Sequence, residues 1–209
     1  MNQGAAKALY VAGVTTFCTF LGCWAVLAHQ SSSYRSRRAT VADEQFAKKA
    51  AAGGMAEVKL GQLAEERGSS DVVKEFGKHM VDDHTKANDE LKQAAQKEGI
   101  TLPTDLNAKD EATYDSLSRF SGAAFDRAYA KDMVKDHQQD VSEFRREANS
   151  GRRDAIKAFA VQTLPTLQDH LREARQMEQS IAGVRLKKGK NHTRQNAISS
   201  SQRRRALRQ

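Results

Sequence analysis

Met80-Val81-Asp82-Asp83-His84 and Met133-Val134-Lys135-Asp136-His137 read almost alike, and each lies midway along a long segment with helical periodicity. In each, the methionine and the histidine are four residues apart, which puts them on one face of a helix. The rest of that face is apolar: Val73, Phe76, Ala87, Leu91 and Ala94 around the first pentad, Ala130, Val141, Phe144 and Ala148 around the second. A histidine on an apolar stripe points inward. The pentads therefore predict two long amphipathic helices that carry imidazole into a shared core.

Two more helices flank them. Thr40 is a plausible N-cap for helix A, with Asp43 and Glu44 in its first turn, and the pattern runs to Arg67 before stopping at Gly68. Its inward stripe is Phe46, Ala50, Gly53, Glu57, Leu60 and Ala64, a bundle spacing with one acid in the middle. Gly53 and Gly54 favour close helix approach or leave room beside Glu57. Helix B, carrying the first pentad, opens at Ser70-Asp71 and ends at Gly99. A connection to Asn107 and a short helix from about Ala108 to Phe120 follow, with a break at Ser121-Gly122. Helix C, carrying the second pentad, reaches about Asn149. After Gly151, helix D runs from Asp154 to Ile181 with the stripe Ile156, Ala160, Thr163, Leu167, His170, Ala174, Met177 and Ile181. Pro165 lies inside it and predicts a kink.

Short A–B and C–D loops make antiparallel hairpins, while the B–C link is long enough to cross the length of the bundle. The expected fold is therefore all-α: a ferritin-like four-helix bundle over residues 43–182 with a crossover containing a short extra helix. Counted from the helix starts at about 1.5 Å per residue, Glu57, His84, His137 and His170 reach the same depth within one turn. One ionisable core group per helix thus falls on one level. Asp126 shares a face with His137 but lies about 16 Å away along the axis, so it belongs to a cap or pair near one end. Asp83 and Asp136 point about 100° away from their neighbouring histidines and serve at most to buttress a neighbour. His79 reads as an exposed partner of Asp83 one turn on.

A carboxylate and three imidazoles in a core admit two readings. Imidazole suits copper, zinc and iron, and Glu57 would complete four ligands with His84, His137 and His170. Alternatively, a metal-free Glu–His network fixes the packing, since a buried Glu needs a cation or a protonated histidine beside it. Met80 and Met133 are soft sulfur ligands in the first reading and core filler in the second.

The ends differ from the middle. Residues 185–209 hold nine Lys/Arg and no acid, and residues 1–42 hold four and none, so a net-acidic domain sits between basic ends. Residues 8–28 carry no charge and are long enough to span a bilayer. They read as a transmembrane anchor, as a signal peptide cleaved after Val26-Leu27-Ala28, or, least well, as a lipoprotein signal ending at Cys23. Each places the protein at the cell envelope, although the arginines after the segment oppose export by the positive-inside rule. Cys18 and Cys23 both fall in this segment, which excludes thiol chemistry from the bundle. Residues 29–42 read as a tether and residues 183–209 as a disordered basic tail. The tail suits anionic lipid or lipopolysaccharide, or acts only as a solubilising end. With no phosphate loop, nucleophile elbow or nucleic-acid motif, hydrolase chemistry and specific nucleic-acid binding have no support.

Several motifs in order resemble a known family: Gly53-Gly54-Met55-Ala56-Glu57-Val58, Met80-Val81-Asp82-Asp83-His84-Thr85, Phe125-Asp126-Arg127-Ala128-Tyr129, and Leu164-Pro165-Thr166-Leu167-Gln168-Asp169-His170-Leu171. The chain is similar over about residues 43–180 to a bacterial envelope family catalogued as a domain of unknown function and often labelled as membrane or outer-membrane proteins. The resemblance implies an exported, ferritin-like helical domain, usually periplasmic, with no established activity. Di-iron proteins of that fold carry Glu-x-x-His on two helices. Here Val81, Val134 and Leu167 stand three residues before the histidines, which argues against a di-iron oxidase.

Overall fold

The computed structural model describes the backbone of residues 19–206 and the side chains of residues 40–183. Five helices follow in order: α1 (Thr19–Arg67), α2 (Asp71–Lys97), α3 (Ala108–Ser118), α4 (Gly122–Ser150) and α5 (Asp154–Ala206). There is no strand among the described residues. Helices α1, α2, α4 and α5 form the four-helix bundle, and α3 lies on the crossover.

The ends of these elements follow local chemistry. Gly99, with φ of 67°, closes α2: its N–H donates to the Gln96 carbonyl, and the Ile100 N–H donates to the Ala95 carbonyl at 2.9 Å. This is a Schellman ending, and the buried Ile100 packs back onto the helix it terminates. Asn107 caps α3 by accepting the Asp110 N–H at 3.0 Å. Gly61 and Gly77 bring α1 and α2 together, because a Cβ on Gly61 would come 2.5 Å from the Gly77 carbonyl oxygen.

Two apolar clusters fill the bundle. One holds Phe46, Leu91, Val141, Phe144, Ile156 and Phe159. The other holds Leu63, Phe76, Phe125, Tyr129, Met133 and Met177. The second takes the beginnings of α2 and α4, the first their ends. For α1 and α5 the order is reversed. Helices α2 and α4 are therefore parallel to each other and antiparallel to α1 and α5, as a full-length crossover between α2 and α4 requires. This is the expected ferritin-like arrangement.

Some boundaries differ from the sequence reading. Helix α1 begins at Thr19, so residues 29–42, expected as a tether, have a helical backbone. No glycine or proline stands between Gly22 and Gly53 to stop it. Helix α5 likewise runs on to Ala206 through the tail expected to lack structure from residue 183. That stretch has no proline and is rich in Lys, Arg and Gln, all good helix formers. Pro165 lies within a continuous α5. No helix among the described residues is long and apolar enough to cross a membrane. Residues 8–18 of the apolar segment, Cys18 among them, lie outside the described residues.

Candidate metal centre

Between the two apolar clusters lies a polar level. Met80 and Met133 end the cluster on one side. Leu91 and Val141 begin the cluster on the other. One turn beyond each methionine, α2 and α4 deliver His84 and His137 into this gap, and α5 delivers His170 one turn after the buried Leu167. The three rings touch. Their centroids are 5.9 Å apart for His84 and His137, and 5.4 Å for each of the other two pairs. Phe76 closes the level from below, 6.2 Å from His137 and 6.5 Å from His170.

Hydrogen bonding at the back of the rings decides what faces the middle. His137 Nδ1 lies 3.0 Å from the Met133 carbonyl oxygen, and His170 Nε2 lies 2.9 Å from Asp83 Oδ2. A carbonyl and a carboxylate can only accept, so both of these ring nitrogens carry the proton. The other nitrogen of each ring then holds a lone pair. Those nitrogens, His137 Nε2 and His170 Nδ1, are buried without a hydrogen-bond partner, and so is His84 Nε2. One ligand atom from each ring lies within 4.8 Å of the others. Burial, reinforced by mutual repulsion of the rings, holds the His84 pKa well below the ordinary imidazole value. Burial first and then His170 lower that of His137 to about 4, against the pull of Asp136 and the Met133 carbonyl. Neutral imidazole is the form that binds metal.

Glu57, expected as a fourth member, reaches the right depth but the wrong neighbours. It is buried, with Oε2 unpartnered. Yet it stands outside the group of mutually close ligand atoms. It lines a cleft with Asp110, Asp132 and Asp136 between α1, α3 and α4. Its pKa is raised well above the carboxylate range by burial, then by the nearby carboxylates of Asp136 and Asp140. The reason is rotational. A 4-3 stripe averages 3.5 residues per turn while a straight helix makes 3.6, so depth along α1 leaves the facing neighbour open.

The other polar expectations divide. Asp126 lies at the bundle's end, where it accepts the Ser69 N–H and hydroxyl at 2.9 and 2.7 Å. Asp83 buttresses His170 across the α2–α5 interface. With Asp83 so engaged, His79 pairs with Glu173 on α5 at 3.2 Å rather than with Asp83. Sequence reasoning took Asp136 only as a possible buttress and passed over the row it forms with Asp132 and Asp140. Like charges repeating every four residues on one helix repel, and that penalty was the available signal.

The arrangement defines a four-helix bundle of crossover topology with a buried three-histidine layer. The chain belongs to the family described as "Domain of unknown function (DUF4142)", whose model matches residues 28–177. Two solved structures share its fold. A DUF305 protein from Streptomyces coelicolor, described provisionally as secreted, is 12% identical with a TM-score of 0.58, covering 68% of this chain and 92% of its own. A DUF305 fragment from Deinococcus radiodurans is 15% identical with a TM-score of 0.57, covering 68% of this chain and 95% of its own. At such identities the likeness concerns the fold alone. No functionally curated protein matches the chain.

Proposed function

We propose that this protein is a cell-envelope domain that binds one transition-metal ion, copper, zinc or iron, through His84 Nε2, His137 Nε2 and His170 Nδ1. The observation that carries the reading is the inventory of ring nitrogens. His84 Nε2, His137 Nε2 and His170 Nδ1 are buried and unpartnered, each ring brings one ligand atom within 4.8 Å of the others, and the opposite nitrogens of His137 and His170 are fixed by donation to the Met133 carbonyl and the Asp83 carboxylate. Outer hydrogen bonds of this kind orient metal-binding histidines. A metal-free network would instead pair each N–H with a neighbouring lone pair, and burying three unpaired polar nitrogens costs about 1–3 kcal/mol each. Three protein ligands also leave a fourth coordination position, where Glu57 was first expected and where water or a small molecule would fit.

Envelope localisation is supported by the apolar segment 8–28 and by the family's resemblance. The anchored and cleaved forms differ only in whether that segment stays attached. The basic 185–209 segment suits anionic lipid or lipopolysaccharide phosphates. Metal analysis of protein purified without a polyhistidine tag tests the central claim. About one metal per chain, lost in His137→Gln, is the expected result. Metal at background level, with no rise in melting temperature on adding copper, zinc or iron, would refute it.

A further inference from the structure

The polar level has one approach whose chemistry differs from the rest of the surface. Two adjoining clefts meet where α1, α3 and α4 pack and share Gly53, Lys109, Asp110 and Asp136, the first running on to α2 and α5. The first has about 60 Å³ open to a water-sized sphere and reaches inward to His84, whose Nε2 is unpartnered. The second, of about 50 Å³, reaches Glu57, which also has an unpartnered buried oxygen. Each is large enough to admit water. Asp140 and Glu143 extend the acidic wall of the first cleft, and Asp132 that of the second.

Lysines compensate this wall only in part. Lys109 lies 3.7 Å from Asp136, and Lys49 is paired with Glu143. Among the described residues, Glu57, Asp132 and Asp140 have no cationic partner within ion-pair distance. Burial and the nearby Asp136 raise the carboxyl pKa of Asp132, and they push that of Asp140, with help from Glu143, up to about 8. Gly53 stands where the two clefts meet, and a Cβ there would touch nothing within 4 Å. A side chain at that position would project into open space. By contrast, Gly54 lies against Asn88 and serves the contact with α2.

We propose that this cleft is the entrance through which a divalent cation reaches the three histidines, with Asp136 drawing it in and Gly53 keeping the passage open. The inference rests on the metal-binding reading above and assigns it a route. It also gives Glu57 a place, as a buried carboxyl with an unpartnered oxygen lining the second cleft. Clefts lined by one sign of charge concentrate counter-ions and raise association rates by about 10- to 1000-fold, an effect that falls with ionic strength.

The test is the rate of Co²⁺ uptake by the full chain, followed by absorbance in a rapid-mixing instrument, beside release to a chelator and an equilibrium titration. Gly53→Phe is expected to slow uptake and release alike by about tenfold, leaving the bound Co²⁺ spectrum and stoichiometry as in wild type. A purely structural disturbance would alter the spectrum or the stoichiometry instead. Asp136→Asn is expected to slow uptake several-fold and to flatten its dependence on salt. The aspartate variant decides the matter alone if Gly53→Phe does not fold. Wild-type rates in the folded variants would overturn the route and direct attention to the groove between α2 and α5 beside Asp83. A wild-type chain that takes up no Co²⁺, nor any copper, zinc or iron, would overturn the metal reading itself.

Discussion

Asp43 and Asp126 are as deeply buried as Glu57 and His84, but their surroundings have little in common. Asp43, on α1, accepts the Arg152 and Arg153 N–H groups at 2.8 and 2.7 Å and so clips the α4–α5 turn. Asp126, on α4, accepts two hydrogen bonds from Ser69 and clips the α1–α2 turn. Each hairpin is thus held by a carboxylate from the other hairpin. At mid-height the pattern is reversed: His84, His137, His170 and Glu57 each keep a buried polar atom without a partner. Buried polar groups are nearly always hydrogen-bonded in native proteins, and the exceptions concentrate where a group has another task. At the ends Asp43 and Asp126 hold the turns, and in the middle three imidazoles keep nitrogens open for a ligand.

If that contrast is right, Asp43→Ala should cause the largest loss of stability, about 3 kcal/mol, since it strands two turn N–H groups. Urea unfolding measures it, and a loss below about 1 kcal/mol would mean that the turn is held by other contacts. Metal should act on the middle alone. At about a hundred times its dissociation constant, an ion that binds only the folded chain adds about 2.7 kcal/mol, visible as a higher melting temperature. His137→Gln should abolish this gain, while Asp43→Ala should keep it.

Asp83→Asn tests the intermediate case, a carboxylate that orients a ligand without being one. Loss of such a partner costs about 10- to 100-fold in metal affinity, which a titration against a competing chelator would read. Unchanged affinity would reduce Asp83 to a surface contact.

The smallest effect is expected at Glu147. This buried carboxylate near the α4–α5 turn is raised to about 7 by burial and by Asp43, and its Oε1 is unpartnered. A raised carboxyl binds its proton more tightly folded than unfolded, so its contribution falls as pH rises from about 4.5 through 7. Glu147→Gln should therefore match wild type near pH 4 and exceed it by about 1 kcal/mol at pH 8. His137 works in the opposite direction. Its folded pKa of about 4 lies below the ordinary 6.5, so stability is lost as pH falls between those values. A Glu147 variant equally stable relative to wild type at both pH values would show that this end titrates no differently from an exposed surface.

How much of this was legible beforehand depends on range. Apolar spacing with Gly68, Gly99, Ser121-Gly122 and Gly151 located all the helices of the bundle, because periodicity and helix ends are local properties. Loop lengths gave the topology, and counting along each helix put three histidines at one depth. Asp83 was visible only as a possible buttress, and the acidic cleft of Asp110, Asp136 and Asp140 was not seen, since it forms only where α3 packs beside α4.

The order of residues alone determined which faces are buried and how far along each helix the histidines lie, since both follow from the 3.6-residue repeat. Only the packed structure decided direction: that Glu57 turns toward Asp136 while His84, His137 and His170 turn toward one another. Rotation about a helix axis is set by contacts with neighbouring helices, and those contacts join residues far apart in the chain.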